Sequence, residues 1–420
     1  MRTKPLHVAV VGFILGLAGA RSAHATGYYI GELDAVANGR ALAVAARLEE
    51  PSTIFFNPGG LAFLKGFHLS VGGTFVLPSF RYSDPAGRKP SERAVFETTT
   101  IPHLYASYSF GETAAVGFGF NAPFGLSLKW PVGFAGEGVS AGVDLKMPTI
   151  HIGGAFRPIP QVSVGATLRV VPATIEMLQR FQTVSDAGDM VYGFAHLGAN
   201  AVGVGAAVGV TARPFERLHL GVSYMSRVKF SFKGSGAFYP GDGVSDTSVF
   251  HDQGGRTEMT TPDVLSFGIG YEALKNLYFE FDFNYTLWSV YKELNIAFDN
   301  DPSGVLAKQG RQKKNWKDTP TFRLCGEYHP IPAVAVRLGG GYDVSPAPDE
   351  TLGPELPDAN RIFVNLGGGY SYEPLGLKVD LAYTLVLFRP RTVTSASGNP
   401  FPATYKTTAH LLGLTAGVHF

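Results

Sequence analysis

Hydrophobic and polar residues alternate along much of this chain. Between Leu277 and Trp288, one set of alternate positions is apolar or aromatic, and the other set is mostly polar. The segment from Leu377 to Leu387 repeats the pattern, with Leu, Val and Tyr sharing one face. A period of two residues is typical of β-strands, because successive side chains point to opposite faces of a sheet. The pattern therefore predicts an all-β fold whose strands are apolar on one face.

The chain ends on a strand-like run with an aromatic last residue. From Leu412 to Phe420 every second residue is apolar, and Gly, Thr and His fill the positions between them. An aromatic C-terminus on an amphipathic strand resembles the assembly signal of bacterial outer-membrane β-barrels. Phe420 is therefore a candidate contact for the barrel assembly machinery. For this segment alone, an ordinary amphipathic edge strand is the alternative interpretation.

The N-terminus has the features of a secretory signal peptide. A basic start at Arg2 and Lys4 precedes a largely apolar run over residues 8–20, which is too short to span a bilayer comfortably. Residues 23–25 supply the small side chains of a cleavage site, so the mature chain is expected to begin at Thr26. The rest of the chain has no apolar run of helix-spanning length.

Charge and cysteine content narrow the class of protein further. The 35 basic and 34 acidic residues nearly cancel, which argues against a nucleic-acid partner. The single cysteine, Cys325, excludes an intramolecular disulfide, and a large exported chain without disulfides suits a bacterial envelope. Only 16% of the residues are charged, while 12% are aromatic, a composition that a lipid-facing band favours.

Short and long connections alternate between the predicted strands. The short turns contain Pro, Gly or Asn and lie near residues 110–112, 157–160, 213–216, 272–276, 329–332 and 373–376. The long polar segments lie near residues 78–100, 123–143, 174–193, 233–261, 291–317, 345–360 and 389–406. In bacterial barrels the short turns face the periplasm and the long loops face outside. Together these connections predict a closed, antiparallel transmembrane β-barrel of about fourteen strands over residues 67–420.

Residues 26–66 do not follow the strand pattern. The stretch from Asp34 to Glu50 is rich in Ala and other good helix formers, and Pro51 would stop a helix there. An apolar run from Phe55 to Leu61 follows, which would not sit free in water. We expect this segment to form a hatch, or plug, inside the barrel lumen. A flexible periplasmic tail is the alternative.

Several short motifs carry a resemblance to a known family, and they occur in the same order along nearly the whole mature chain. They are Gly39-Arg40-Ala41, Asn57-Pro58-Gly59, Gly119-Phe120-Asn121-Ala122-Pro123-Phe124-Gly125, Tyr285-Thr286-Leu287-Trp288-Ser289, and the pair Tyr342-Asp343 and Leu356 to Arg361. In this respect the chain resembles the FadL/TodX family of outer-membrane transporters for hydrophobic compounds. Gly59 departs from the alanine that is usual at the end of the second motif.

The resemblance implies both a fold and a function. It implies a fourteen-stranded, monomeric barrel in the bacterial outer membrane, blocked by a hatch whose motif residues are Gly39, Arg40, Asn57, Pro58 and Gly59. Such a protein admits long-chain fatty acids or aromatic hydrocarbons by passive, ligand-gated diffusion. It needs no cofactor, and its partners are the hydrophobic ligand and the membrane lipid. The ligand leaves sideways, through an opening at a kink in the third strand.

The residues of the third strand support such a kink on physical grounds. Proline lacks the backbone donor that a β-ladder needs, and glycine weakens a strand interior. The candidate residues of the lateral opening are Gly117, Gly119, Asn121, Pro123 and Gly125. The alternative is that Pro123 merely ends the strand and begins a loop.

The long segments also supply candidates for ligand capture. Apolar side chains on exposed loops often mark binding sites, and the candidates for a ligand groove are Met177, Leu178, Phe181, Phe238, Tyr239 and Phe250. The alternative is that these side chains pack the loops onto each other. A carboxylate ligand would also require a cation, for which Arg40, Arg169 and Arg361 are the candidates. For Arg169 the structural alternative is an ion pair with Glu280 or Asp282.

Enzyme chemistry finds little support in the sequence, and no catalytic or metal-binding residue is predicted. Residues 138–142 match G-x-S-x-G but lie in a predicted loop rather than at a strand-to-helix turn. The eleven histidines lack metal-ligand spacing. An outer-membrane barrel hydrolase and a general polar porin remain the alternative classes, and the predicted hatch argues against the porin.

Overall fold

The computed structural model describes residues 27–244, 251–301, 306 and 310–420, without the side chains of residues 182 and 183. The predicted signal peptide, its cleavage site and the groove candidate Phe250 lie outside the described residues. Within the described part, no helix is both long enough and apolar enough to cross a membrane.

The described residues contain two short α-helices, several 3₁₀ turns and twenty β-strands. The helices are α1 (Ala35–Gly39) and α2 (Thr53–Phe56), and the 3₁₀ turns are Pro58–Phe63, Trp288–Val290, Asp349–Thr351, Glu373–Leu375 and Ser395–Ser397. The strands are β1 (Phe67–Ser83), β2 (Glu92–Arg93), β3 (Thr99–Phe110), β4 (Ala114–Lys129), β5 (Gly142–Ile159), β6 (Val162–Val184), β7 (Met190–Phe215), β8 (Leu218–Met225), β9 (Val228–Tyr239), β10 (Gln253–Thr261), β11 (Val264–Leu274), β12 (Leu277–Thr286), β13 (Glu293–Phe298), β14 (Arg311–Lys313), β15 (Thr319–Ile331), β16 (Val334–Asp343), β17 (Arg361–Tyr372), β18 (Leu377–Phe388), β19 (Arg391–Val393) and β20 (Ala403–His419).

These segments form one closed, antiparallel barrel of fourteen strands, as the sequence predicts. The pairs β8–β9, β10–β11, β12–β13, β14–β15 and β18–β19 each continue as one wall strand across a short break, and β2 is a small addition beside β1. β1 pairs with β20 along its length and closes the barrel. The main chains of Phe67 and Phe420 exchange hydrogen bonds of 2.9 and 3.0 Å at this seam.

Alternation along each strand separates a lipid-facing outside from a polar lumen. On β12, Phe279 and Phe281 are each 42% exposed on the outside, whereas Glu280 and Asp282 are 1% exposed on the inside. An outward apolar face is favourable in lipid, and the strand ladder satisfies the backbone donors and acceptors that lipid cannot. Inward polar groups are then free to hold the hatch.

The short turns predicted from the sequence are confirmed at one end of the barrel, but the long connections are shorter than predicted. Residues 174–184 and 190–193 belong to β6 and β7, while β9 and β10 take up most of residues 233–261. Predicting loops there was wrong because these strands continue beyond the apolar band. Their outward side chains, such as Glu176 and Lys233, are therefore polar.

The hatch fills the lumen, but it is less helical than expected. Only Ala35–Gly39 of the predicted helix from Asp34 to Glu50 is helical, because Ala41 and Leu42 have φ values of +54° and +60°. A left-handed backbone at these two positions ends the helix. Most of the hatch between Leu33 and Leu64 is buried.

Candidate functional site

The helix α1 seats the hatch against the barrel wall. The Asp34 carboxylate caps it, accepting hydrogen bonds from the main-chain N–H groups of Val36 (2.8 Å) and Ala37 (3.0 Å). At the other end of α1, a Cβ on Gly39 would lie 2.9 Å from the Cα of Gly367 on β17. Glycine thus lets the hatch backbone touch the wall backbone at this position.

The hatch-motif arginine is held by a buried carboxylate of the wall. The guanidinium of Arg40 donates to both oxygens of Glu327, at 3.0 and 2.6 Å, and also to the carbonyl of Arg47 at 2.8 Å. Arg337 binds the same carboxylate at 2.5 Å and reaches Asp380 at 2.7 Å. The charge of Arg40 is therefore already compensated, which corrects its prediction as a partner for a ligand carboxylate.

Two further wall carboxylates hold the hatch through its backbone. Asp282 accepts hydrogen bonds of 2.9 Å from the N–H groups of both Val44 and Ala45, and Glu280 accepts one of 2.7 Å from Ala46. Both carboxylates line the lumen, as the alternation on β12 indicates. They are occupied by the hatch and make no ion pair with Arg169 among the described contacts.

The second hatch motif turns the chain beside β7. Asn57 donates to the carbonyls of Ala45 (2.7 Å) and Val210 (3.1 Å), and its side-chain oxygen accepts from Gly59 N–H (3.1 Å). Pro58 begins the 3₁₀ turn, where its missing donor costs nothing. A Cβ on Gly59 would lie 2.9 Å from the backbone nitrogen of Thr211, so glycine is required here too.

The wall is interrupted between β3 and β4, the second and third strands of the barrel. Their ladder ends where Leu104 pairs with Phe120, although β4 continues to Lys129. Beyond that point β5 is the one barrel strand that pairs with β4 among the described residues, and the register shifts between Asn121 and Phe124. The strand is therefore irregular at the segment where the sequence predicts a kink.

The first described residues of the hatch cover this free edge of β4. We refer to Gly27–Ile30 as the hatch tip. Ile30 N–H donates to the Pro123 carbonyl at 2.8 Å, and Gly125 N–H donates to the Tyr28 carbonyl at 3.1 Å. The tip thus supplies the hydrogen bonds that β3 does not make with this part of β4.

The glycines earlier in β4 serve the hatch rather than the interruption. Gly117 and Gly119 remain in register with β3, so they lie before the point where this ladder ends. A Cβ on Gly119 would lie 3.0 Å from the ring of Tyr105 and 3.1 Å from Ile54 of α2. A Cβ on Gly117 would lie 3.0 Å from the same Ile54 side chain. Both glycines therefore make room for the hatch.

An aromatic cluster surrounds the tip inside the barrel, on the side of the longer connections. The ring of Tyr28 lies 4.8 Å from that of Trp288, 5.7 Å from Trp316, 5.8 Å from Tyr291 and 6.0 Å from Phe124. Beside it is an apolar cavity of about 50 Å³, space for one or two waters. The lining includes Tyr28, Leu126, Leu145, Ile175, Met177, Met259 and Leu294.

One lysine lies at the polar side of this cavity, and no local sequence pattern points to it. Lys314 donates to Glu355 at 2.6 Å and to Gln312 at 3.0 Å. Burial by itself lowers the pKa of Lys314, but the Glu355 carboxylate, and then Tyr291, raise that pKa above its ordinary value. Lys314 is therefore charged but paired.

Arg169 differs from the other candidate cations because no carboxylate neutralises it among the described residues. Its side chain is 1% exposed and faces the lumen from β6. One guanidinium nitrogen donates to the Ser226 carbonyl at 3.1 Å, and the other two nitrogens have no partner. Arg361, in contrast, binds Asp343 at 2.8 and 2.9 Å and is not available.

A chain of hydrogen bonds connects the neighbourhood of Arg169 to the hatch. His151 on β5 lies directly across from Arg169 in the β5–β6 register. Its ring contacts the amide oxygen of Asn121 at 2.9 Å, and the amide nitrogen donates to the Tyr105 hydroxyl at 2.9 Å. That hydroxyl donates to the carbonyl of Leu33 at 3.1 Å. Asn121 thus joins the β4 irregularity to the hatch.

The groove candidates are not arranged as an exposed loop surface. Met177, Phe181 and Phe238 point into the lumen and are buried. The Phe181 and Phe238 rings lie 6.2 Å apart and pack together at the outer end of the lumen. Tyr239 is 61% exposed on the outside, and Leu178 is partly exposed on the same face. The apolar surface therefore lines the inside of the barrel at its outer end. We refer to Met177, Phe181 and Phe238 as the apolar mouth.

The serine of the G-x-S-x-G match, Ser140, does not lie at a strand-to-helix turn. Ser140 is buried in the loop before β5, and its hydroxyl has no hydrogen-bond partner in the structure. In the described part of the chain, no group of three or more His, Cys, Asp or Glu side chains could hold a metal ion.

Together, a closed fourteen-strand barrel, a lumen blocked by a hatch and an apolar mouth define a transport protein of the outer membrane for hydrophobic compounds. Residues 16–420 match the family model "Outer membrane protein transport protein (OMPP1/FadL/TodX)", and the chain belongs to this family.

Named relatives and solved structures agree with that assignment. The chain is 27% identical to the 47 kDa outer membrane protein of Pasteurella multocida, covering 96% of both chains. It is 21% identical to the long-chain fatty acid transport protein of Escherichia coli K12, covering 83% of this chain and 85% of that one. A Pseudomonas aeruginosa FadL homologue has the same fold, with a TM-score of 0.83 at 16% identity, covering 94% of this chain and 100% of that one. So does the P. putida toluene transporter TodX, with a TM-score of 0.71 at 15% identity, covering 95% and 99%.

Proposed function

We propose that this transporter takes up long-chain fatty acids by passive, ligand-gated diffusion and releases them sideways at the β4 irregularity. The observation that carries the proposal is Arg169, a buried guanidinium with two unpartnered nitrogens. A lone buried cation is costly, and a ligand carboxylate would compensate it with two parallel hydrogen bonds. An uncharged hydrocarbon would not.

The inward face of β6 provides a path for the alkyl tail. Met177, Ile175, Ala173 and Val171 follow each other on this face, and all are buried. Arg169 ends the series. It lies six residues before Ile175 on β6, which is about 20 Å at the usual rise of a strand. An apolar stripe that ends in a cation matches an amphiphile with one charged end.

The small size of the cavity beside Tyr28 supports gating by the ligand. A space of about 50 Å³ cannot admit an alkyl chain unless neighbouring side chains move. Tyr28 belongs to the hatch tip, which also covers the free edge of β4. We infer that ligand entry displaces the tip, and that this displacement uncovers the lateral exit.

Uptake measurements with one charged and one uncharged substrate test the proposal. A host without its own transporter would express the wild-type chain or Arg169→Met, and take up radiolabelled oleate or toluene. Losing a hydrogen bond to a charged group costs about 1.5–3 kcal/mol, so we expect oleate uptake to fall roughly tenfold or more. Toluene uptake should not change, because methionine keeps the path apolar.

The matched control is Arg217→Met, which removes a cation from an exposed turn at the other end of the barrel. Amounts of assembled barrel are compared by heat-dependent electrophoretic mobility. Equal oleate uptake by wild type and Arg169→Met would contradict the carboxylate assignment.

Uptake of aromatic hydrocarbons is the second candidate function. The aromatic rings around Tyr28 favour it, because offset and edge-to-face contacts suit a flat, uncharged ligand. Toluene uptake without oleate uptake in the same experiment would select this function.

A further inference from the structure

Three cations stand side by side on the outer surface of the barrel, beyond its lipid-facing band. Arg81 of β1 lies directly opposite Arg93 of β2 in one register and directly opposite Lys406 of β20 in the other. They are remote from Arg169 and from the hatch, and they take no part in the proposed transport path. We refer to these three residues as the cationic row.

The surroundings of the cationic row contain hydroxyls rather than compensating carboxylates. On the same outward face, the positions two residues away from Arg81 and Lys406 are Ser79, Ser83, Thr404 and Thr408. The Ser83 hydroxyl donates to Ser91 at 3.1 Å and that of Thr404 bonds to Thr392 at 2.9 Å, so the hydroxyls of Ser79 and Thr408 are the ones that face the row. In the described part of the chain, no ion pair involves Arg81, Arg93 or Lys406. Three adjacent positive charges are therefore held by the fold without an internal counter-charge.

The nearby carboxylates are engaged elsewhere or lie further away. Asp84 accepts hydrogen bonds from the main-chain N–H groups of Ala86 (3.1 Å) and Arg88 (2.9 Å). Glu92 accepts one of 3.1 Å from Ala135 N–H. Glu97 is four residues beyond Arg93, roughly 13 Å along an extended chain.

Like charges directly opposite each other on neighbouring strands are destabilising. A binding site for an anion accounts for the arrangement, because an anion would bridge the cations and accept from the neighbouring hydroxyls. Arg81 and Arg93 also present planar guanidinium groups, which match phosphate geometry better than an isolated ammonium does.

The height of the cationic row in the membrane indicates which kind of anion it would meet. On the outer face of β1 the exposed apolar residues Leu69, Val71 and Phe75 mark the lipid-facing band. Arg81 follows Leu77, the last outward apolar residue of β1, by four residues, roughly 13 Å of strand, which is about 10 Å along the membrane normal at the usual strand tilt. The row thus lies at the end with the longer connections, where the polar head groups of the outer leaflet begin.

We propose that the cationic row binds the phosphate groups of a lipid head group in the outer leaflet. Arg93 and Lys406 flank Arg81 on two neighbouring strands, so roughly 10 Å separates the outer two cations. That spacing lets one head group with two phosphates contact all three side chains. The site would fix a structural lipid to the seam where β1 closes the barrel against β20.

A second outward basic patch provides a contrast. Lys233 and Arg256 also face each other across strands, at the rim of an open depression between β9, β10 and β13. Glu258 and Glu293 line the same depression. Carboxylates there would repel a phosphate, so the anion site is assigned to the cationic row alone.

Native mass spectrometry of the purified full-length barrel in detergent tests the assignment. The probe is lipid A with two phosphates, and the comparison lipid is the same molecule with both phosphates removed. We expect the wild-type chain to retain the phosphorylated lipid, and the triple variant R81Q/R93Q/K406Q to bind it at least about tenfold more weakly. The matched control is K65Q/R217Q/K275Q, which removes three exposed cations at the other end and should bind like wild type.

Each outcome of the lipid experiment bears on the proposal. Equal binding by wild type and the triple variant, or equal binding of the two lipids, would overturn it. Release of the lipid by millimolar inorganic phosphate would indicate a site for free anions and would also overturn the lipid assignment. If the triple variant does not assemble, K406Q alone, an exposed change, should still weaken binding about threefold.

Discussion

The two ends of the hatch are held in different ways. We refer to Asn38–Ala46 as the hatch base. The wall holds the base through the Arg40–Glu327 ion pair, through Asp282, and through Asn365, which donates to the Asn38 carbonyl at 2.7 Å. The tip is held by two main-chain hydrogen bonds to β4 and by aromatic packing around Tyr28.

This difference indicates which part of the hatch moves. Removing the base from the wall would separate Arg40 from Glu327 and leave a buried charge without its partner, which costs about 3–5 kcal/mol. Releasing the tip breaks only neutral hydrogen bonds, worth about 0.5–1.5 kcal/mol each, and a ligand could replace the aromatic contacts. We therefore expect the tip to open while the base stays in position.

Locking the tip should have the largest effect. Tyr29 and Phe124 form an antiparallel bridge, and such pairs have Cα separations that a disulfide accepts. In a Cys325→Ala background, Tyr29→Cys with Phe124→Cys should reduce oleate uptake by at least about tenfold under oxidising conditions. Uptake should recover when the disulfide is reduced, as measured in the same cells.

A tether at the base provides the matching control. A Cβ on Gly339 would lie 2.7 Å from that of Ala41, so Ala41→Cys with Gly339→Cys is close enough to join after a small shift. This tether should leave uptake near the wild-type level. Strong inhibition by the base tether, or none by the tip tether, would reverse the roles assigned to the two ends.

Breaking the ion pairs of the base should have the next largest effect. Glu327→Gln leaves Arg40 and Arg337 without the carboxylate they share, and removing one partner of a buried pair costs about 3–5 kcal/mol. We expect the hatch to detach at lower urea concentration while the barrel stays assembled. Limited proteolysis of the hatch against urea concentration, with heat-dependent mobility of the barrel, measures both.

Glu49→Gln is the control for that experiment. Glu49 pairs with Arg47 at 3.0 Å, but its side chain is 53% exposed, so the loss should be about 0–1 kcal/mol. If Glu49→Gln and Glu327→Gln shift hatch release equally, the base is not held by its buried charges.

Local sequence pattern predicted the architecture well. Alternation and turn residues depend on neighbours in the chain, so they indicated the strands, the short turns and the barrel. The alternation on β12 also predicted that Glu280 and Asp282 face the lumen. The same reasoning failed at residues 174–193 and 233–261, because a strand above the lipid has polar residues outside and resembles a loop in composition.

Local sequence pattern does not predict which charged residues pair with each other. Arg40 and Glu327 are separated by 287 residues, so their pairing depends on the closed barrel and not on local pattern. Arg40, Arg169 and Arg361 were therefore equivalent candidates in the sequence, and only the positions of distant carboxylates separate them. No local pattern points to Lys314 either, because its cavity is formed by segments that are distant in the chain.

The smallest expected effect concerns the hydrogen-bond chain that runs from His151, opposite Arg169, to the Leu33 carbonyl of the hatch. Asn121→Ala removes the amide that joins His151 to Tyr105, and leaving buried polar groups unpaired costs about 1–3 kcal/mol. If this link couples ligand arrival to hatch movement, oleate binding to the purified protein should stay the same while uptake falls about threefold. Binding is measured by displacement of a fluorescent fatty acid, and uptake in cells.

Thr149→Val is the control for a general disturbance of the β4 irregularity. Thr149 faces Asn121 across the β4–β5 register and is buried, but its hydroxyl donates only to the Met147 carbonyl at 3.3 Å. A general disturbance of the β4 irregularity would affect both variants equally. A selective loss of uptake in Asn121→Ala would instead indicate that the hatch segment at Leu33, next to the tip, responds to what happens near Arg169. In that case the hatch segment next to the tip is coupled to the ligand site, and the base only supports the hatch.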